Sequence, residues 1–254
     1  MESREISQQV VVITGATSGI GEAMARAFGA DGASVVLAGR NGAKAQQIAA
    51  EIEAGGGAAF GMSCDVTRQS QCDALIDAAV SAYGRLDTVF ANHGAAGAIG
   101  PLAQWSDDDV EQTLNVNLLG CLYLARASHA ALQDGGGRFI VTGSASGRQN
   151  MLGNGMYGIS KAAVSHMVRQ LALEWRRDKI AVNELLPGPV RTPMSGFTSP
   201  DSTPSSQFLT YIEKMGDWLK DPSDVVPLAR FIATMPVDGP SGQSYNLGGR
   251  LAGN

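Results

Sequence analysis

Short apolar runs alternate along the chain with longer stretches in which apolar residues recur every three or four positions. Val10, Val11, Val12 and Ile13 make the first run, and such an unbroken apolar segment predicts a strand buried on both faces. Just beyond it, Ile20, Ala23, Met24, Ala27 and Phe28 form one stripe of an amphipathic helix over 20–29. The alternation continues. Strands are predicted at 34–37, Ala58–Ser63, Thr88–Ala91, 139–142, 181–185 and 244–247, and helices at 43–54, 70–83, 107–126 and 162–175. Strands alternating with helices of this length predict one α/β domain over 1–254, a doubly wound parallel sheet of about seven strands with helices on both faces. Such a sheet takes ligands at the carboxyl ends of its strands. Gly, Ser, Thr and Pro accumulate over 194–204 and predict a loop.

Composition narrows the partners. A net charge of −5, with no Lys/Arg cluster, argues against nucleic acid or an anionic membrane. The start Met1-Glu2-Ser3-Arg4-Glu5 lacks a basic, apolar leader and no stretch has the length of a membrane span, so the expected location is the cytoplasm. Cys64, Cys72 and Cys121 form no C-x-x-C pair and read as reduced, packed thiols. His93, His129 and His166 are scattered, and no metal site is expected.

Between the first strand and the first helix stands TGATSGIG, with glycines spaced G-x-x-x-G-x-G. A glycine turn feeding a helix N-terminus suits a phosphate, because backbone N–H groups point outward and no Cβ blocks close approach. The glycines alone fit a structural turn equally well. No Lys-Ser/Thr follows them, so the turn is not a P-loop, nor is the spacing G-x-G-x-x-G. After the second strand, where a dinucleotide-binding unit would carry a carboxylate for the ribose 2′-hydroxyl, the chain reads Ala38-Gly39-Arg40-Asn41. An arginine in that place favours NADP over NAD. Farther on, YGISK puts Tyr157 and Lys161 on one helix face, where the ammonium favours the phenolate and the pair can move a proton to or from an alcohol. GSASG has Ala145 at its centre and does not match a hydrolase nucleophile elbow.

These pieces follow one another in a fixed order: TGATSGIG, CDV at 64–66, ANHG at 91–94, NVNLLG at 115–120, GSASG at 143–147, YGISK, and LPGPVRTPM at 186–194. In that order and spacing the chain resembles the short-chain dehydrogenase/reductase family, NAD(P)-dependent oxidoreductases on a Rossmann fold, from Val10 to about Gly249. The resemblance implies that Tyr157 is the general acid or base, that Lys161 supports it and holds the nicotinamide ribose, and that Ser144, thirteen residues earlier, bonds the substrate oxygen. It implies that Asn117, rather than Asn115, anchors a water leading to Lys161. Gly15, Ser18, Gly19, Ile20 and Gly21 would wrap the pyrophosphate, with Arg40 and Asn41 at the 2′-position. Asp65 and Val66 would meet the adenine, and Asn92 and Gly94 the adenosine ribose. Pro187, Gly188, Val190 and Thr192 would meet the nicotinamide. His93 and Ala91 depart from the family's usual residues, and Glu184 breaks an apolar strand, to face a subunit interface or pair with a cation.

The implied function is NADP(H)-dependent transfer of a hydride between nicotinamide and a carbonyl or secondary alcohol, with NAD(H) as the other possible cofactor. The segment over 191–220 would close on the substrate, with Met194, Phe197, Phe208, Tyr211, Met215 and Trp218 as candidate lining and the loop at 149–152 completing the pocket. Phe208, Tyr211, Ile212 and Met215 fit equally the buried stripe of a short helix. A 3-oxoacyl thioester is an alternative substrate. A catalytically silent dinucleotide sensor or scaffold is the alternative function, against which the intact Ser144, Tyr157 and Lys161 speak. The family resemblance also implies a homo-oligomer, dimer or tetramer, through the helices at 107–126 and 157–175.

Overall fold

All the predicted strands pair in parallel. In the computed structural model, which describes residues 4–197, 202–214 and 216–248 (of Gln207, Phe208 and Tyr211 the backbone alone), the strands are β1 Val10–Thr14, β2 Ser34–Gly39, β3 Ala58–Ser63, β4 Thr88–Ala91, β5 Gly137–Thr142, β6 Ile180–Leu186 and β7 Ser244–Asn246. They form one seven-stranded sheet in the order β3-β2-β1-β4-β5-β6-β7. The period of two along each strand sorts the core into two layers. Val10, Val12 and Val89 face one way, toward Leu75 of α3 (Gln69–Tyr83), Leu124 of α5 (Gly120–Gln133) and Val164 of α6 (Gly155–Glu174). Val11, Ile13 and Phe90 face the other, toward Met24 and Phe28 of α1 (Gly19–Ala30), Ile48 of α2 (Gly42–Ala54) and Ile232 of α8 (Val226–Thr234). Burial on both sides explains why these strands are continuous apolar runs.

Three elements differ from the sequence reading. The helix expected over 107–126 is α4 (Asp107–Leu114), then a five-residue π turn, Asn115–Leu119, then α5 to Gln133. A π turn adds one residue to a helical turn and rotates the helix beyond it, which simple 3.6-residue periodicity does not anticipate. Helix α8 is absent from the sequence reading; its Pro227 stands in the first turn, where the missing N–H costs nothing. Within 194–204 the chain makes a short 3-10 turn, Pro193–Ser195, and the helix expected around 208–215 is α7, Ser206–Lys214. Phe208, Tyr211 and Met215, three of the expected pocket residues, lie outside the described side chains.

The strand order reverses beside β1. From β1 the chain proceeds outward through β2 and β3, then returns to lay β4 on the opposite edge of β1. The loops leaving β1 and β4 therefore diverge to opposite faces and open a crevice between them. Phe90, one residue from the end of β4, is fully buried and meets Phe28 edge-on with ring centroids 5.4 Å apart. Phe90→Ala should cost about 3–5 kcal/mol, read as a lower urea midpoint with unchanged slope.

Candidate active site

The crevice is a cleft of about 750 Å³ lined by the ends of β1, β2, β4, β5 and β6 and by the loops that follow them. At its floor is the N-terminus of α1. Gly15 and Gly19 have φ of +63° and +55°, conformations that favour glycine, and a Cβ on Gly15 would press on the His93 backbone at 3.1 Å. Ser18 is the helix N-cap but its side chain makes no capping bond, which leaves the first-turn N–H groups facing the cleft. This cradle fits a pyrophosphate.

Most of the expected residues converge here: Gly15, Ser18, Gly19, Ile20, Arg40, Asp65, Val66, Asn92, Gly94, Ser144, Tyr157, Lys161, Pro187, Gly188, Val190 and Thr192 all line the cleft. Three do not. Gly21 lies beneath the turn, where a Cβ would stand 2.2 Å from the carbonyl oxygen of Gly15, so its smallness serves packing. Asn41 caps α2, its side chain accepting from the Lys44 N–H at 3.0 Å. Asn117 is fully buried in the π turn, where its amide accepts from Ala95 N–H at 2.8 Å and donates to Ala95 C=O and Ser160 Oγ, each at 2.9 Å. The π turn sends Asn117 inward and leaves Asn115 on the cleft wall. That wall was missed in the sequence. Asp108, Glu111, Gln112 and Asn115 line it at i, i+3, i+4 and i+7, one polar helix face of a kind that spacing alone does not distinguish from a solvated one.

At one end of the cleft Lys161 is buried, donating from Nζ to the Thr142 carbonyl at 2.8 Å, and its Nζ lies 5.8 Å from the centre of the Tyr157 ring. Ser144, two residues past the end of β5, is the cap of a short 3-10 turn, its Oγ accepting from Ser146 N–H at 3.2 Å. At the other end Arg40 follows β2, exposed, and enters none of the ion pairs of the described residues. Asp65 stands nearby. Its partial burial opposes ionisation, but hydrogen bonds from the Thr67 hydroxyl and N–H, with Arg68 and Arg40 in the surroundings, hold its carboxyl below the usual range. Behind Gly188 (φ +70°), the wholly buried Lys220 pairs with Asp217 at 2.6 Å and takes its backbone N–H to the Pro189 carbonyl, which secures the turn after β6.

Of the expected substrate segment, Met194 lines the cleft, while Phe197 lines a small separate pocket beneath Arg191, and Trp218 covers the Lys220 ammonium. The loop at 149–152 does not reach the cleft lining.

His93 is packed rather than free. The Thr14 hydroxyl donates to the Phe90 carbonyl, so it accepts from His93 Nδ1 at 2.7 Å. Nε2 is then the acceptor for the Cys121 thiol, 3.5 Å away. Burial, with the charge of Lys161 adding to it, lowers the imidazole pKa to about 3, and burial raises the Cys121 thiol to about 11. Both are neutral at pH 7.

Residues 9–203 match the family model described as short chain dehydrogenase. This chain belongs to the short-chain dehydrogenase/reductase family. It is 31% identical over 215 residues to a 3β-hydroxysteroid dehydrogenase of Mediterraneibacter gnavus, covering 84% of this chain and 78% of that one. Its fold is similar to a 7α-hydroxysteroid dehydrogenase solved with NADH and 7-oxo glycochenodeoxycholic acid (TM-score 0.89, 28% identity, 97% of this chain and 95% of that). It is similar also to an alcohol dehydrogenase of Thermococcus sibiricus solved with 5-hydroxy-NADP (TM-score 0.82, 28% identity, 97% and 98%). The short-chain dehydrogenase is accordingly an oxidoreductase acting between CH–OH and C=O, with a nicotinamide dinucleotide as cofactor class.

The depressed pKa of His93 has a thermodynamic sign. Above pH 6.5 the imidazole is neutral in both folded and unfolded chain, and its contribution is full. Below that the unfolded chain takes a proton that the fold refuses, down to about pH 3. Stability should fall by up to about 1.4 kcal/mol per pH unit from this group, and less steeply in His93→Gln, measured by denaturant unfolding between pH 7 and pH 4; the His93 ring resonances should stay constant over pH 5–8.

Proposed function

We propose that this enzyme interconverts a ketone and a secondary alcohol with NADP(H) preferred, Tyr157 acting as the general acid or base. The observation that carries the reading is the convergence of Ser144, Tyr157 and Lys161 at the end of a cleft whose floor is the uncapped N-terminus of α1. When bound, the nicotinamide supplies the hydride. The protein's part in reduction is to hold the substrate oxygen by the Ser144 and Tyr157 hydroxyls and to give that oxygen the phenolic proton as charge develops on it. Lys161, kept in place by the Thr142 carbonyl, supports the phenolate left behind. Asn117 acts by fixing the backbone at Ala95 and the hydroxyl of Ser160. Oxidation runs the same steps in reverse.

NADP(H) is favoured by Arg40, a guanidinium at the end of β2 that enters none of the ion pairs of the described residues, in a segment, Gly39 to Asn41, that carries no carboxylate of its own to take the ribose 2′-hydroxyl. A substrate with a bulky apolar body is supported by Met194 on the cleft wall and by the relatives named for hydroxysteroids. Ile99 and Leu152, exposed on neighbouring loops after β4 and β5, extend apolar surface on the same side of the sheet.

Two results test this. With a panel of cyclic and aryl ketones, Tyr157→Phe should lower turnover about 10²–10⁴-fold while NADPH affinity, read by fluorescence, stays within about threefold; unchanged turnover would remove Tyr157 from the chemistry. Arg40→Ala should raise KM for NADPH about 10–100-fold, the loss of hydrogen bonds to a charged group, and leave KM for NADH nearly constant. A wild-type preference for NADH would overturn the assignment of Arg40.

A further inference from the structure

Glu184 stands in the middle of β6, a strand otherwise buried and almost wholly apolar, and is itself 1% exposed. Its Oε2 accepts from Ser165 Oγ of α6 at 2.9 Å, from Ser244 Oγ of β7 at 2.5 Å and from the Arg148 guanidinium at 3.3 Å. Oε1 has no hydrogen-bond partner among the described residues. It lies against Gly143, where a Cβ would stand 2.0 Å away. The carboxylate therefore occupies the space that a side chain at position 143 would need.

Gly143 is the hinge of the proposed chemistry. Before it is Thr142, whose carbonyl holds the Lys161 ammonium; after it is Ser144. Its N–H donates to the Leu185 carbonyl at 2.8 Å, the last rung between β5 and β6 before the chain leaves the sheet. Beyond that rung nothing in the strand ladder fixes the peptide, and the Glu184 carboxyl group is the surface it rests on. A buried carboxylate with one unpaired oxygen contributes little to stability, since an apolar side chain of that volume would avoid its desolvation. Its effect lies in placement. The three groups on Oε2 come from α6, from β7 and from the segment after Ser144, so they hold the carboxyl group from three directions.

We propose that Glu184 is a positioning residue, whose carboxylate, held by Arg148, Ser165 and Ser244, fills the space beside Gly143 and thereby sets the backbone at 142–144 on which both Lys161 and Ser144 depend. The inference rests on the oxidoreductase reading above. It does not place Glu184 in contact with substrate or cofactor.

The test uses the full chain and four variants: Glu184→Gln, Glu184→Ala, Gly143→Ala, and Gly143→Ala combined with Glu184→Ala. In Glu184→Ala, kcat with NADPH and the best ketone should fall about 10–100-fold, the scale of an ångström-level misplacement, while the NADPH dissociation constant and the ketone KM stay within about threefold. Glu184→Gln keeps the volume and an acceptor oxygen, should fold if the alanine variant does not, and should fall between it and wild type. Gly143→Ala should lower the melting temperature strongly alone and far less when Glu184 is also alanine, because the clash is removed. Unchanged kcat in a folded Glu184→Ala or Glu184→Gln would overturn the proposal. So would a parallel loss of NADPH affinity, which signals a loosened cleft, or an equal Gly143→Ala penalty in both backgrounds. A wild-type chain that binds NADPH yet turns over no ketone overturns the oxidoreductase reading and this inference with it. That result is distinct from a wild type that turns over while its Glu184 variants keep pace.

Discussion

Everything in this molecule that bears on chemistry depends on the parallel pairing of β1 with β2 on one side and with β4 on the other. The pairing forces the chain to leave neighbouring strands toward opposite faces of the sheet, because each parallel crossover must pack its helix on one side. Among the described residues no helix fills the space between the divergent loops. The cleft is therefore a consequence of topology, and the glycines of the first turn let a helix N-terminus open into it.

The cleft walls are held by polar groups that are themselves buried. Thr14, His93 and Cys121 form a neutral chain under the β1 and β4 loops, and Lys161 is tied to the β5 backbone. Asn117, turned inward by the π turn, joins the segment after β4 to α6, and Lys220 with Asp217 backs the turn after β6. Each of these groups would be expensive to leave unpaired away from water, so each tolerates few arrangements of its neighbours. The carbonyl and hydroxyl partners make the loops stiff where a reaction needs fixed geometry. Glu184 belongs to this set, with the difference that one of its oxygens has no hydrogen-bond partner among the described residues and lies against Gly143.

Much of this was legible in the chain. Apolar runs without alternation marked the buried strands, and the bounds of β3 and β4 are those expected from the pattern. Order and spacing of short motifs, none decisive alone, led to the family and, for all but three of the expected catalytic and cofactor residues, to the lining of the cleft. The three residues that stand outside the lining do so for specific physical reasons. Asn41 sits beside Arg40 in sequence, but helix capping claims its side chain. Gly21 belongs to the glycine motif, yet its role is close packing against Gly15. Asn117 and Asn115 were separated only by resemblance, and it is the inserted π residue that turns one inward and the other to the cleft.

By itself the sequence determined the alternation of strands and helices, because burial on one or two faces writes its period directly into the order of apolar residues. It determined the chemical inventory too: a phenol and an ammonium one helical turn apart, a serine, a glycine turn and an arginine without a carboxylate beside it. Only the tertiary structure decided which of these meet. The Tyr157 helix, the Thr142 carbonyl and the β1 turn are far apart along the chain, and their approach follows from sheet order rather than from any local pattern. The same holds for the acidic face of α4 on the cleft and for Glu184 beneath Gly143. A polar residue reads the same in sequence whether it faces water or a neighbour, and burial alone makes the difference.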